Sequence, residues 1–245
     1  MLNAFKQVPI TALRDLVMDQ IRLFATFPEL DHYGERKDAE YIGPMLDPIN
    51  APRADWPEGE GPRIFACLRP DTSCVKEILE ALGAITARVV CVASGFTPMQ
   101  LEPFRRDHVR YVSGPVDLAP LLDANLCITY GAEGTMMRFL MATVPQLISP
   151  WHVETYMAAR RIESTGLGSA LSSPLSRIAL EQRIQRMADD STMRSRVTAF
   201  AARRAKADYS IAAKVNEALS RNTMFEHAQH DSQASSFTNS MTAFA

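Results

Sequence analysis

The chain has 245 residues, 47% hydrophobic and 22% charged, with 26 Lys and Arg against 28 Asp and Glu. That length allows one large domain or two small ones, the composition excludes a chain disordered throughout, and a net charge of −2 argues against a dedicated nucleic-acid binder. No apolar run approaches the roughly 18 residues of a membrane span, and Lys6, Arg14, Asp15 and Asp19 interrupt the apolar stretch that a signal peptide needs, so a cytoplasmic protein is expected.

In chain order, Leu13, Leu16, Val17, Ile21 and Phe24 recur near 3.6-residue spacing and predict an amphipathic helix over 10–24. Pro44, Pro48, Pro52, Pro57 and Pro62 then punctuate an acidic linker that carries no core of its own. From 62 onward the pattern alternates. Apolar strands are expected at 63–68, 88–93, 109–112, 126–129 and 146–149, and helices at 74–85, 98–105, 118–124, 133–142 and 153–165. Continuous apolar strands separated by helices define an α/β protein: a single doubly wound, Rossmann-like parallel sheet covered on both faces. Residues 176–221 read as helical with a break near 189–191, and hold ten Lys and Arg against five Asp and Glu, a solvated basic face. The last segment, 222–245, is polar and aperiodic, and reads as a disordered tail. The expected organisation is therefore 1–60, a domain over 61–221, and a tail over 222–245.

Cys67, Cys91 and Cys127 lie inside the strand-like runs and Cys74 opens a helical one. They form no Cys-x-x-Cys pair and have no His at ligand spacing, so reduced thiols acting as small hydrophobes are expected, and no metal site. The chemistry is expected where the fourth strand ends. Tyr130-Gly131-Ala132-Glu133-Gly134-Thr135 opens directly into a helix whose free N–H groups suit a phosphate, although a tight turn explains the glycines equally well. Arg138 stands amid Met136, Met137, Phe139, Leu140 and Met141. An isolated buried guanidinium is costly, so it either snorkels to the surface or points into a polar cleft.

From Tyr130 to Leu171 the chain resembles the nucleotide-sugar-binding half of the UDP-glycosyltransferase superfamily, which has the GT-B fold. The resemblance rests on Gly131 to Thr135 as Gly-x-Gly-Thr, Val144-Pro145-Gln146-Leu147, Pro150 with Glu154, Ala159-Arg160-Arg161 and Gly166-Leu167-Gly168. Ser113-Gly114-Pro115-Val116 resembles the loop that holds the base; Thr26 to Leu30 and Tyr41 to Pro44 resemble the interdomain stretch. The sequence departs from the family pattern at four positions: Tyr130 stands for the motif His, Ala132 for its second Gly, Arg138 for the ribose-binding Glu and Thr155 for the sugar-binding Gln.

The resemblance implies a site made of Pro115, Val116, Tyr130, Gly131, Ala132, Gly134, Thr135, Arg138, Glu154 and Thr155. It implies no cofactor or metal beyond a UDP- or dTDP-sugar as substrate. It implies the donor-binding half of a hexosyltransferase acting on a small-molecule or lipid acceptor. The front domain, with the acceptor pocket and the general base, has no counterpart here except a last helix near 1–30. The isolated chain is accordingly expected to be inactive and to hold no catalytic residue of its own. The alternative is a non-catalytic or split-enzyme subunit that pairs with a separate acceptor-domain chain or self-associates. A nucleotide-sugar epimerase of the same architecture is a third reading. Arg138 accepts no hydrogen bond, so a deoxyribose donor is expected to lose less by its presence than a ribose donor.

Overall fold

The computed structural model describes residues 22–37, 39–46, 50–205 and 211–220. The expected helix over 10–24 and the tail over 222–245 lie outside these residues, save 22–24. There Leu23–Phe24 (β1) is extended and pairs in parallel with Glu40–Tyr41 (β2). The chain divides into two compact units. The described part of the smaller unit holds β1, β2 and a helical stretch at 211–220; Lys214 Nζ donates to the Tyr41 carbonyl at 3.0 Å.

The larger unit, Thr26–Arg36 with Pro44–Asp208, holds a six-stranded parallel sheet. Its strands are Arg63–Leu68 (β3), Arg88–Ala93 (β4), Val109–Val112 (β5), Leu126–Thr129 (β6), Gln146–Ile148 (β7) and Gly168–Ala170 (β8). Their order is β5-β4-β3-β6-β7-β8, the doubly wound order in which the chain reverses direction between β3 and β6. The period-2 alternation explains why the central strands are apolar on both faces. Ile64, Ala66, Leu68, Val89, Cys91, Leu126 and Ile128 feed one core, together with Val75–Ala84 (α1) and Arg177–Ala188 (α5). Phe65, Val90, Val92 and Cys127 feed the other, where Phe65 stacks on Phe139 with ring centroids 4.6 Å apart. Two buried faces require two layers of helix, and the sequence supplies them.

Prolines account for two shortened helices. Pro103 has no N–H to continue the helix begun at Pro98–Leu101 (α2), and the chain tightens into a 3-10 turn at Glu102–Phe104. Pro120 fits only the start of a helix, and too few residues follow before β6; a 3-10 turn at Ala119–Leu121 replaces the helix expected over 118–124. The remaining helices are Glu133–Met141 (α3), Val153–Ser164 (α4) and Ser191–Ala205 (α6), with the break between α5 and α6 where expected. β8 was not anticipated. A methyl group on Gly168 would meet the Gln146 carbonyl at 2.1 Å, so only glycine lets this edge strand approach β7. All four cysteines are free thiols, as expected.

Candidate functional site

The reversal between β3 and β6 leaves a crevice at the carboxyl ends of the strands, where doubly wound sheets bind ligands. Three strand ends meet there. After β3, Thr72 is buried; its hydroxyl accepts from Arg69 N at 3.0 Å and its N–H donates to the Arg69 carbonyl, which fixes the backbone that carries Arg69. After β6 come Tyr130, Gly131 and Ala132. After β7, Ser149 donates to the Ser73 carbonyl while Ser73 Oγ donates to the Pro150 carbonyl at 2.7 Å. This pair ties the outer two loops together across the end of β6.

The result is a cleft of about 260 Å3 whose walls include Arg69, Tyr130, Gly131, Ala132, Glu133, Met136, Trp151, His152, Glu154 and Thr155, with Leu30 and His32 from the segment that precedes the sheet. Of the ten expected site residues, Tyr130, Gly131, Ala132, Glu154 and Thr155 line it. Pro115, Val116, Gly134, Thr135 and Arg138 do not. Val116 is in the core with Phe65 and Leu121, Pro115 is exposed beside it, and Gly134 faces open space. Arg138 is half-buried and is not among the residues that line the cleft.

Each contributor has a definite local chemistry. α3 begins at Ala132 with no side-chain cap, so its first-turn N–H groups keep their hydrogen-bonding capacity at the positive end of the helix dipole. α4, by contrast, carries a capping box. Thr155 Oγ1 accepts from Trp151 N and His152 N, both at 3.2 Å, and donates to the His152 carbonyl at 3.0 Å. His152 Nδ1 accepts from Thr155 N at 3.4 Å. The Thr155 hydroxyl is thus committed to the backbone rather than turned toward a ligand.

Gly131 lies at φ +101°, and a methyl group there would sit 2.8 Å from Thr155 Cβ. Burial pushes the Tyr130 phenol above its ordinary range, with Cys67 adding to and Arg69 opposing the shift, so Tyr130 is a neutral donor. The Arg69 guanidinium lies 5.0 Å from the Trp151 ring centroid and 6.0 Å from that of Tyr130, and its Nε donates to Asp71 Oδ1 at 3.2 Å.

Arg69 and Trp151 were not anticipated, because they belong to other strand ends than the glycine loop. The available signal was a charged residue directly after the apolar run 64–68, at the carboxyl end of the first strand of the sheet.

Among solved structures, the chain is similar to the glycosyltransferase of kitacinnamycin (21% identity over 83% of this chain, TM-score 0.65). It is also similar to CalG4, the calicheamicin glycosyltransferase (24% over 76%, TM-score 0.60), and to glycosyltransferase VinC in complex with dTDP (20% over 75%, TM-score 0.60). No family model and no curated protein matches the sequence. The chain spans about half the length of these solved structures, 56%, 48% and 52% respectively. It has the fold of the C-terminal, Rossmann-like half of GT-B glycosyltransferases. Among the described residues no helix is long and apolar enough to cross a membrane.

Proposed function

We propose that the chain is the donor-binding half of a glycosyltransferase that transfers a hexosyl group from a UDP- or dTDP-sugar to a small-molecule or lipid acceptor. The observation that carries this reading is the cleft at the switch point, where the uncapped N-terminus of α3 and Arg69 line one cavity. VinC, of similar fold, is in complex with dTDP.

In this reading the diphosphate lies against the first-turn N–H groups of α3 and the Tyr130 hydroxyl, and Glu154 accepts from sugar hydroxyls. The loop at Pro115 and Val116 offers its backbone rather than the buried Val116 side chain to the base. An acceptor hydroxyl, deprotonated by a base on the acceptor domain, attacks the anomeric carbon. The bond to the diphosphate breaks, and the α3 terminus stabilises the charge that develops on the leaving group. A volume near 260 Å3 is below the roughly 300–1,000 Å3 of a complete ligand pocket, in keeping with a site that has one wall here and the other on an acceptor domain.

Val153 and Tyr156, 75% and 44% exposed, share the face of α4 opposite the one whose Thr155, Ala158 and Ile162 line the cleft. This exposed apolar face supports the variant of this reading in which a separate acceptor-domain chain, or a second copy, covers it.

Calorimetric titration with UDP, dTDP and their nucleosides tests the reading. Binding of a diphosphate with a Kd tighter than about 1 mM, and weaker binding of its nucleoside, is expected. Absence of binding by both diphosphates overturns it.

A further inference from the structure

The titratable side chains among the residues that line the cleft are His32, Arg69, Tyr130, Glu133, His152 and Glu154. Glu133 and Glu154 are exposed carboxylates, each in the first turn of its helix. Tyr130 is neutral, and the Nδ1 of His152 is held as a hydrogen-bond acceptor by the cap of α4. Arg69 is the permanent cation on these walls, which also carry the carboxylates of Glu133 and Glu154. Without it the side chains there would offer a polyanion no permanent opposite charge.

We infer that Arg69 is the residue that makes this cleft an anion site, and that its guanidinium turns from Asp71 to grip the diphosphate of the donor. The inference rests on the donor-site reading above and adds to it the group that supplies the charge.

The geometry suits such a handover. Arg69 and Asp71 are 42% and 46% exposed, and an ion pair that open to solvent contributes at most about 1 kcal/mol, so it is easily exchanged. Only Nε engages Asp71, and neither Nη group has a partner among the described residues, so the fork of the guanidinium is presented to a ligand. The rings of Trp151 and Tyr130 orient the planar cation, and the Thr72 hydrogen bonds anchor its backbone. A phosphate matches that fork bidentately, with stronger, charge-assisted bonds than the exposed pair it replaces.

The test uses the full chain and three probes, inorganic pyrophosphate, dTDP and thymidine, titrated into wild type, Arg69→Met, Arg69→Lys and Asp71→Asn. Arg69→Met is expected to weaken pyrophosphate and dTDP by about tenfold or more while thymidine is unchanged. Arg69→Lys, which keeps the charge but not the fork, falls between; Asp71→Asn, which releases the guanidinium, tightens both anions. Equal dTDP affinity in wild type and Arg69→Met overturns the inference and leaves the donor reading standing. Equal loss of thymidine and dTDP in Arg69→Met also overturns it, because Arg69 would then only shape the cleft. Failure of wild type to bind any of the three overturns both. If Arg69→Met does not fold, unchanged pyrophosphate affinity in both Arg69→Lys and Asp71→Asn overturns the inference.

Discussion

Gly131 shows how one residue can carry a fold constraint and a site constraint together. Its φ of +101° and the 2.8 Å approach of Thr155 Cβ both exclude a side chain, and the same close approach presses the loop after β6 against the head of α4, which closes one end of the cleft. Gly131→Ala is expected to cost about 2–4 kcal/mol, read as a lower midpoint in urea denaturation. A change under about 0.5 kcal/mol would mean that Thr155 moves aside at no cost. The thiols give a second residue-scale expectation. Burial pushes Cys67 up to about 11 despite Arg69, and raises Cys91 and Cys127 as well. A thiolate appears as pH rises, so at pH 8 only about a thousandth of Cys67 is reactive. Of the four thiols, a chromogenic disulfide reagent should titrate no more than one quickly in the folded chain, and all four in denaturant. Rapid reaction of three or four in the folded chain would contradict this burial. Tyr130, Gly131 and Glu154 were legible because they sit in one contiguous pattern. Arg69 was not, because strand order rather than sequence neighbourhood brings it to the cleft. Arg138 was legible as an oddity, but which way a helix is turned depends on what packs against it, and a pattern of apolar residues on nearly every side does not specify that.

At the scale of elements, apolar runs and helical periodicity placed the first five strands of the large sheet and the helices on its two faces, since burial on both sides leaves little freedom in composition. What escaped was set by backbone chemistry at single positions: Pro103 and Pro120, which end helical hydrogen bonding early, and Gly168, which admits a three-residue edge strand too short to show a period. In α4 a residue read as a ligand contact also serves as a structural cap. Thr155 Oγ1 serves two backbone N–H groups and one carbonyl at the head of this helix. Thr155→Val keeps the shape and removes all three bonds, so it is expected to destabilise the fold by about 1–2 kcal/mol. Urea unfolding followed by far-UV circular dichroism measures this. An unchanged midpoint would show that water satisfies the exposed N–H groups as well as the hydroxyl does.

For the molecule as a whole, the doubly wound strand order puts the glycine loop, Arg69 and the head of α4 on the same carboxyl edge, and that edge also carries the exposed side chains of Trp151, Val153 and Tyr156. Val153 and Tyr156 are three residues apart, so they share one face of α4, opposite the face whose Thr155, Ala158 and Ile162 line the cleft. Large side chains left this open to water favour burial against another surface. A second copy of this chain offers such a surface. The chain is therefore expected to self-associate as its concentration rises, and to do so less when this face is made polar. Val153→Glu with Tyr156→Gln is the suited pair: a carboxylate in the first turn of α4 favours the helix dipole, so the fold is preserved while the apolar contact is lost. Light scattering across a hundredfold range of concentration, about 1 to 100 μM, reads the difference in apparent mass. A wild-type chain that stays monomeric over that range, or a double variant that associates as strongly as wild type, would show that this face is not the one that seeks a partner.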